Sequence, residues 1–185
     1  MELTTLGERG PTISRFGLGT MSLLTSQDRK AAAALGHQAI DRGINLIDTA
    51  DVYDNGSVEE ALAEALRGRR GEVVLATKVG LPMNGDKNRS GGSRRWIIQA
   101  VEDSLRRLGT DYIDIYQLHR PDPATPAAET VEAFDRLQRA GKIRYAGSSV
   151  FPPELIVEFQ WEAERQGAAP FVCEQAPYSI LVRGI

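Results

Sequence analysis

The sequence has one cysteine, no long apolar run and no start that resembles a leader. Cys173 alone cannot form an internal disulfide, and its apolar surroundings, "FVCEQ", favour a buried, inert thiol. The first ten residues, "MELTTLGERG", lack the basic start and the apolar core of a secretion signal. Nothing approaches the roughly 18 consecutive apolar residues that a membrane helix requires. These absences predict a cytoplasmic protein without a membrane partner.

The chain also lacks an excess of positive charge and a cluster of metal ligands. Its 22 Lys and Arg are set against 25 Asp and Glu, for a net charge of −3. The basic residues are dispersed except at 67–70, where they end a predicted helix, so no nucleic-acid partner is expected. The two histidines, His37 and His119, fall on different predicted elements, and Cys173 has no CxxC partner. No metal site is therefore predicted.

What the sequence does have is a regular alternation of strand and helix patterns in a single domain, 1–185. A small hairpin is predicted around residues 7–10, and six strand patterns follow: 16–20, 45–48, "VVLATKVG", "YIDIYQLH", "YAGSSV" and "FVCEQAPY". Helix patterns separate them, with predicted starts after Ser26, at Ser57 (a capping box), at Ser93, at Thr125-Pro126 and at Pro152-Pro153. Such alternation predicts right-handed βαβ units and a parallel sheet.

Polar side chains at the strand ends decide between an open sheet and a barrel. Asp48, Lys78, His119 and Ser148 each end an apolar run on a different strand. An open sheet concentrates ligand contacts at one switch point, whereas a barrel collects them from many strand ends on its carboxyl face. The pattern therefore favours a barrel.

Three of these residues, together with Tyr53, predict proton-transfer chemistry. A lysine in a dry pocket needs a counter-charge, and Asp48 on the preceding strand is the natural partner of Lys78. An ammonium beside the Tyr53 hydroxyl stabilises the phenolate, which makes the phenol a better proton donor. With His119 as a hydrogen-bonding partner, the set suits protonation of a carbonyl oxygen as a hydride arrives at its carbon.

Each of these residues has a structural alternative when it is considered alone. Asp48 could cap its loop, Lys78 could extend its ammonium to solvent or be a Schiff-base lysine, Tyr53 could pack, and His119 could be a loop histidine. All four alternatives would have to hold at once, so the functional interpretation is favoured. A dinucleotide fingerprint of the Rossmann type is not expected. The pattern GxGxxG, started at Gly17 and Gly19, requires a glycine at position 22, where the chain has Ser22.

The chain resembles a known family, the aldo-keto reductases. The resemblance is carried by "GLGTM", "NLIDTADVYDNGSVEEALAEAL", "VVLATKVG", "SRRWIIQAVEDSLRRLGTDYIDIYQLHRPD", "GKIRYAGSS" and "EQAPYS". It implies a (β/α)8 barrel, NADP(H) as cofactor and an aldehyde or ketone as substrate. It also implies that Asp48, Tyr53, Lys78 and His119 form the catalytic tetrad, with Tyr53 as the proton donor.

The resemblance further implies a set of cofactor-binding residues. These are Gly19, Thr20, Met21, Asp48, Ser148, Ser149 and Gln175. Ser149 takes the place of the family's usual asparagine, and a serine has a shorter reach. In the family, Ser148 and Gln175 correspond to residues that hold the nicotinamide carboxamide.

The chain departs from the family in ending after its sixth strand. The expected fold is therefore a (β/α)8 barrel truncated after the sixth strand, with residues 1–15 as a hairpin and 16–185 as six βα units. Two unpaired strand edges predict self-association. The favoured function is an NADPH-dependent carbonyl reductase. The alternative is a non-catalytic NADP(H)-binding regulatory module, like the reductase-fold subunits of potassium channels, or an inactive fragment of a longer reductase.

Overall fold

The computed structural model describes residues 1–22 and 29–185, and the helix start predicted at Ser26 lies outside them. The strands are β1 (Leu3–Thr5), β2 (Thr12–Ser14), β3 (Gly17–Gly19), β4 (Leu46–Asp48), β5 (Val74–Val79), β6 (Ile113–Leu118), β7 (Ile143–Ser149) and β8 (Cys173–Gln175). The helices are α1 (Arg29–Asp41), α2 (Ser57–Leu66), α3 (Arg94–Leu108), α4 (Ala127–Arg139) and α5 (Pro153–Gln166). A 3-10 turn occurs at Arg70–Glu72, and Tyr53–Gly56 forms a short turn that contains left-handed residues.

The strands form two sheets. β1 and β2 make an antiparallel hairpin, whereas β3 to β8 form one parallel sheet in chain order. The prediction of alternating βα units with a parallel sheet is thus confirmed. Among the residues described, none of the helices has the length and apolarity to cross a membrane.

The parallel sheet is strongly curled. β4 and β8 are separated by three intervening strands, which would place them about 19 Å apart in a flat sheet with strands roughly 4.8 Å apart. Yet the side-chain amide of Gln175 on β8 lies 3.5 Å from an Asp48 carboxylate oxygen on β4. The sheet therefore bends back towards itself, and its inner face brings distant strands into contact.

The two faces of this sheet differ in composition. The outer face carries buried apolar side chains such as Ile47, Leu75, Tyr116 and Leu118, which pack with the helices in one hydrophobic cluster. Because side chains alternate along a strand, the register places Asp48, Lys78 and Gln117 on the opposite, inner face. The core thus lies between sheet and helices, while the inner face carries these polar groups towards the carboxyl ends of its strands and the apolar Ala76 and Ile115 before them.

Helix α3 begins and ends as its sequence predicts. The Ser93 hydroxyl accepts a hydrogen bond from the Trp96 amide at 3.4 Å, and Gly109 ends the helix with φ 63°, a conformation that glycine adopts without strain. The apolar residues Ile97, Val101, Leu105 and Leu108, spaced to share one face of the helix, are all buried. Helix α5 likewise begins at Pro153.

Two predicted helix caps are wrong. α2 begins at Ser57 as predicted, but its N-cap is Gly56, and the Ser57 hydroxyl donates to the Asp54 carbonyl at 2.9 Å instead of capping the helix. The cause is a run of three left-handed residues, 54–56, which turns the chain just before the helix. At α4 the N-cap is Pro126, while the Thr125 hydroxyl donates to the Asp122 carboxylate at 2.7 Å. In both cases a nearby aspartate residue accepts the hydrogen bond of the hydroxyl.

A buried polar cluster lies behind the sheet, between β5, α2 and α3. The Glu59 carboxylate is 0% exposed; it accepts hydrogen bonds from the Arg107 guanidinium and the Thr77 hydroxyl, each at 2.7 Å. A side chain at position 56 would approach Arg107 to 2.7 Å. Gly56 is thus required both for the left-handed turn, with φ 96°, and for the room that the guanidinium occupies.

Asp51 is the unusual member of this region. It is 1% exposed, and among the described residues neither of its carboxyl oxygens has a hydrogen-bond partner. Burial, followed by the nearby Glu59 carboxylate, raises the pKa of Asp51 from 3.8 to about 8. The carboxyl group is therefore protonated at neutral pH, because a buried unpaired charge would be costly.

Replacement of Asp51 with asparagine is expected to change how stability depends on pH. The folded chain keeps a proton on Asp51 up to about pH 8, whereas the unfolded chain releases it near pH 4. The free energy of unfolding of the parent should therefore fall as pH rises through this window, by up to about 1.4 kcal/mol per pH unit from this group. Urea unfolding at several pH values would show a smaller decline for Asp51→Asn. The exposed Asp111→Asn should keep the parental slope, and an unchanged slope for Asp51→Asn would contradict this prediction.

Candidate active site

The centre of the candidate site is the ammonium group of Lys78, which is 1% exposed. Its Nζ donates to the two Asp48 carboxylate oxygens at 2.7 and 2.9 Å and to the Thr49 carbonyl at 2.8 Å. The predicted ion pair between neighbouring strands is thus present. Three oxygen partners hold the ammonium in a fixed place and offset the cost of its burial.

Tyr53 lies beside this ammonium. Its hydroxyl oxygen is 3.5 Å from Lys78 Nζ, and Nζ lies 5.3 Å from the centre of its ring. The Tyr53 amide donates to the Ala50 carbonyl at 3.2 Å, and the left-handed residues 54–56 follow directly. The short loop between β4 and α2 therefore brings the phenol back over the strand end that carries Asp48.

His119 completes the group from the end of β6. Its backbone amide donates to the Val79 carbonyl at 2.8 Å, and its ring meets the Tyr53 ring edge-on, with centroids 6.0 Å apart. Among the described residues its Nδ1 has no hydrogen-bond partner. Burial, followed by the positive charges of Lys78 and Arg120, lowers the pKa of His119 from 6.5 to about 4. The imidazole is therefore neutral at neutral pH.

A titration of the histidine ring signals by NMR should show this directly. The His119 signal is expected to stay at its neutral position as pH falls through 6.5 and to move only near pH 4, following the lowered pKa. Since the folded pKa is depressed, protonation also removes stability as pH falls from about 6.5 to about 4. The chain has two histidines, so loss of one signal in His119→Gln assigns it. A midpoint near 6.5 would contradict the prediction.

The residues predicted to bind a cofactor from the first strand are placed in different ways. Gly19 pairs in register with Asp48, and a side chain there would meet nothing within 4 Å, so open space lies above it. The Thr20 hydroxyl is buried and donates to the Asp48 carbonyl at 3.0 Å. Met21 is 69% exposed. From β8, the side-chain amide of Gln175 lies 3.5 Å from the Asp48 carboxylate.

The two consecutive serines of β7 do not share a face. Ser148 pairs in register with Leu118 and Glu174 on the outer face, and its hydroxyl donates to the Glu174 carboxylate at 2.6 Å. Ser149 pairs with Gln175, on the side of Lys78. Adjacent residues of a strand point to opposite faces, so only the Ser149 hydroxyl can reach the candidate site.

Sequence reasoning missed the residues that support this strand end. Glu174 and Gln117 both contact Ser148. The Glu174 carboxylate accepts the Ser148 hydroxyl, and the Gln117 side-chain amide donates to the Ser148 carbonyl at 3.2 Å. Strict alternation of faces along β7 and β8 was the signal that could have identified Glu174 as the outward partner of Ser148.

The arrangement can place a phenol, a fixed ammonium and a neutral imidazole around one small volume. Asp48, Lys78 and His119 belong to the carboxyl ends of three adjacent strands, where parallel barrels carry their sites. A neutral imidazole and a phenol can both donate to an oxygen atom, and the ammonium favours negative charge developing there. The geometry suits stabilisation and protonation of a carbonyl oxygen.

Comparisons with known proteins point in the same direction. A model of the aldo/keto reductase family matches residues 15–184. The chain is 39% identical over 189 residues to aldo-keto reductase YhdN of Bacillus subtilis, covering 99% of this chain and 55% of that protein. It is 34% identical over 189 residues to a probable voltage-gated potassium channel subunit beta of Arabidopsis thaliana, covering 99% of this chain and 57% of that one.

A solved structure is similar over nearly the whole chain. The holo form of aldo-keto reductase AKR11C1 from Bacillus halodurans superposes with a TM-score of 0.87 at 40% identity, covering 98% of this chain and 59% of that one. The chain thus spans a little over half the length of the relatives that it matches.

Proposed function

Since the chain belongs to the aldo/keto reductase family, we propose that the protein carrying it is an NADPH-dependent oxidoreductase, which reduces the carbonyl of an aldehyde or ketone to an alcohol. The observation that carries this proposal is the buried Lys78 ammonium, held at 2.7 Å by Asp48 and lying 3.5 Å from the Tyr53 hydroxyl.

In this proposal each member of the tetrad has one task. Tyr53 donates its hydroxyl proton to the carbonyl oxygen as that oxygen gains negative charge. Lys78, fixed by Asp48, stabilises the phenolate that remains on Tyr53. His119, being neutral, donates a ring N–H to the same carbonyl oxygen and orients it. The oxygen thus gains a proton, and the carbonyl carbon gains a hydride.

The residues of the inner face fit a nicotinamide cofactor. Gly19 leaves open space above β3, and the Ser149 hydroxyl and the Gln175 amide lie on the same side as Lys78. We assign cofactor binding to these residues together with Thr20, Met21 and Asp48; Ser148 leaves the set because its hydroxyl faces Glu174. NADPH, when bound, supplies the hydride.

The proposal extends to the fold and setting of the whole protein. Residues 16–185 are the first six βα units of a (β/α)8 barrel, and the hairpin of residues 1–15 covers its amino end. The contact between Gln175 and Asp48 supports this, since it requires a sheet that curves towards closure. The protein acts in the cytoplasm, on small carbonyl compounds.

A second candidate function is supported by the similarity to the Arabidopsis potassium channel subunit. In that case the protein is a regulatory module that binds NADP(H) without significant turnover. The inner-face residues would then serve cofactor binding alone. The intact group of Tyr53, Lys78 and His119 favours the enzyme.

Equilibrium binding of NADPH, followed by an aldehyde-dependent turnover assay, separates these functions. The experiment uses the protein as its gene encodes it, with binding followed by fluorescence quenching. Binding with turnover is the expected result. Binding without turnover on a panel of aldehydes and ketones would favour the regulatory module, and absence of NADPH binding would contradict both.

A further inference from the structure

The connection from β7 to α5, residues 148–151, has an unusual backbone. Val150 has φ 58°, a left-handed conformation that is costly for any side chain and rare for a β-branched one. Strained residues of this kind persist only where the surrounding structure holds them, and they concentrate at ligand sites. The contacts around the turn therefore indicate what holds it.

Glu174 binds the first and the last residue of the turn. One carboxylate oxygen accepts the Ser148 hydroxyl at 2.6 Å, and the other accepts the Phe151 amide at 3.0 Å. These two groups flank the strained Val150. The carboxylate thus spans the turn from outside, on the face away from Lys78.

The inner side of the same turn is held by β8 and β6. The Gln175 carbonyl accepts both the Ser149 hydroxyl at 3.1 Å and the Val150 amide at 3.2 Å, and Gln117 donates to the Ser148 carbonyl at 3.2 Å. Because the Ser149 proton is used in this way, its oxygen presents only lone pairs to the inner face. It is thus suited to accept a hydrogen bond from a primary amide.

We propose that Glu174 is a positioning residue for cofactor binding. By fixing the turn 148–151 from outside, it keeps the Ser149 oxygen on the Lys78 side of the sheet, where it accepts a hydrogen bond from the carboxamide of the nicotinamide cofactor. This inference rests on the proposed function, because it names NADPH as the ligand. Glu174 itself does not touch the cofactor and acts through Ser149.

The test is NADPH affinity in a set of variants of the protein as encoded. Glu174→Ala removes both bonds across the turn and is expected to raise the dissociation constant about tenfold. Glu174→Gln should stay within about threefold of the parent, because its oxygen can accept the Phe151 amide and its nitrogen can donate to Ser148. Glu158→Ala, which removes an exposed carboxylate from α5, should leave affinity unchanged.

A double-mutant cycle with Ser149→Ala tests the route. If Glu174 acts through Ser149, the double variant should bind no more weakly than Ser149→Ala alone. Parental affinity in Glu174→Ala, equal losses in the Ala and Gln variants, or additive losses in the cycle would each overturn the inference while leaving the proposed function in place. A parent that binds no NADPH would overturn the proposed function and this inference together.

Discussion

Replacing Tyr53 with phenylalanine is expected to lower kcat/KM for carbonyl reduction by about a thousandfold, because a general acid contributes roughly 10²–10⁴ to the rate. Phenylalanine keeps the ring that meets His119 at 6.0 Å and lies 5.3 Å from the Lys78 ammonium, and it lacks only the proton donor. NADPH affinity should stay within about twofold. Steady-state kinetics with one aldehyde, together with a binding titration, measure both quantities.

Tyr112 provides the matched control for this substitution. It lies at the other end of the sheet, just before β6, where its ring is stacked between the guanidinium groups of Arg70 and Arg144 at 4.0 and 3.9 Å. Tyr112→Phe removes a hydroxyl far from Lys78 and should leave kcat/KM unchanged. If Tyr53→Phe retained more than about a tenth of parental activity, Tyr53 would not be the proton donor.

The largest effect on stability is expected from Arg107→Met. This change leaves the Glu59 carboxylate, which is 0% exposed, with the Thr77 hydroxyl as its remaining partner among the bonds described above. An uncompensated buried charge costs about 3–5 kcal/mol. The protonated Asp51 nearby cannot supply a positive charge. Urea unfolding at neutral pH should therefore show a loss of this size in the free energy of unfolding.

Two further variants identify the cause of that loss. Arg106→Met removes the neighbouring arginine, which is 70% exposed and pairs with Asp103, and should change stability by less than about 1 kcal/mol. Adding Glu59→Gln to Arg107→Met removes the stranded charge and should recover part of the loss. A loss below about 1 kcal/mol for Arg107→Met, or no recovery in the double variant, would show that the buried pair does not carry the effect.

The sequence was sufficient to predict which strand ends meet. An apolar run that ends in Asp48, and another that ends near Lys78, indicate parallel strands whose carboxyl ends share one edge. The ion pair between these residues follows from proximity and charge, and the structure contains it. Family membership followed from the same motifs and is confirmed by the family model.

The facing of single residues could not be predicted in the same way. Ser148 and Ser149 differ by one position, and one position reverses the side of the sheet that a side chain occupies. The hydroxyl of Ser57 was misassigned because its partner, Asp54, is brought close by left-handed residues that no periodicity reveals. Asp51 and Arg107 were not identified, because their roles depend on contacts between separate helices and strands.

The order of the parallel sheet bears on how the chain folds during synthesis. From β4 onwards, every strand of the parallel sheet pairs with the strand made immediately before it. At about 5–20 residues per second, a ribosome needs on the order of 2–6 seconds to add one βα unit of about 30 residues. Each unit can therefore dock on an existing edge before the next one emerges, and the nascent chain can grow by successive additions without waiting for a distant partner strand.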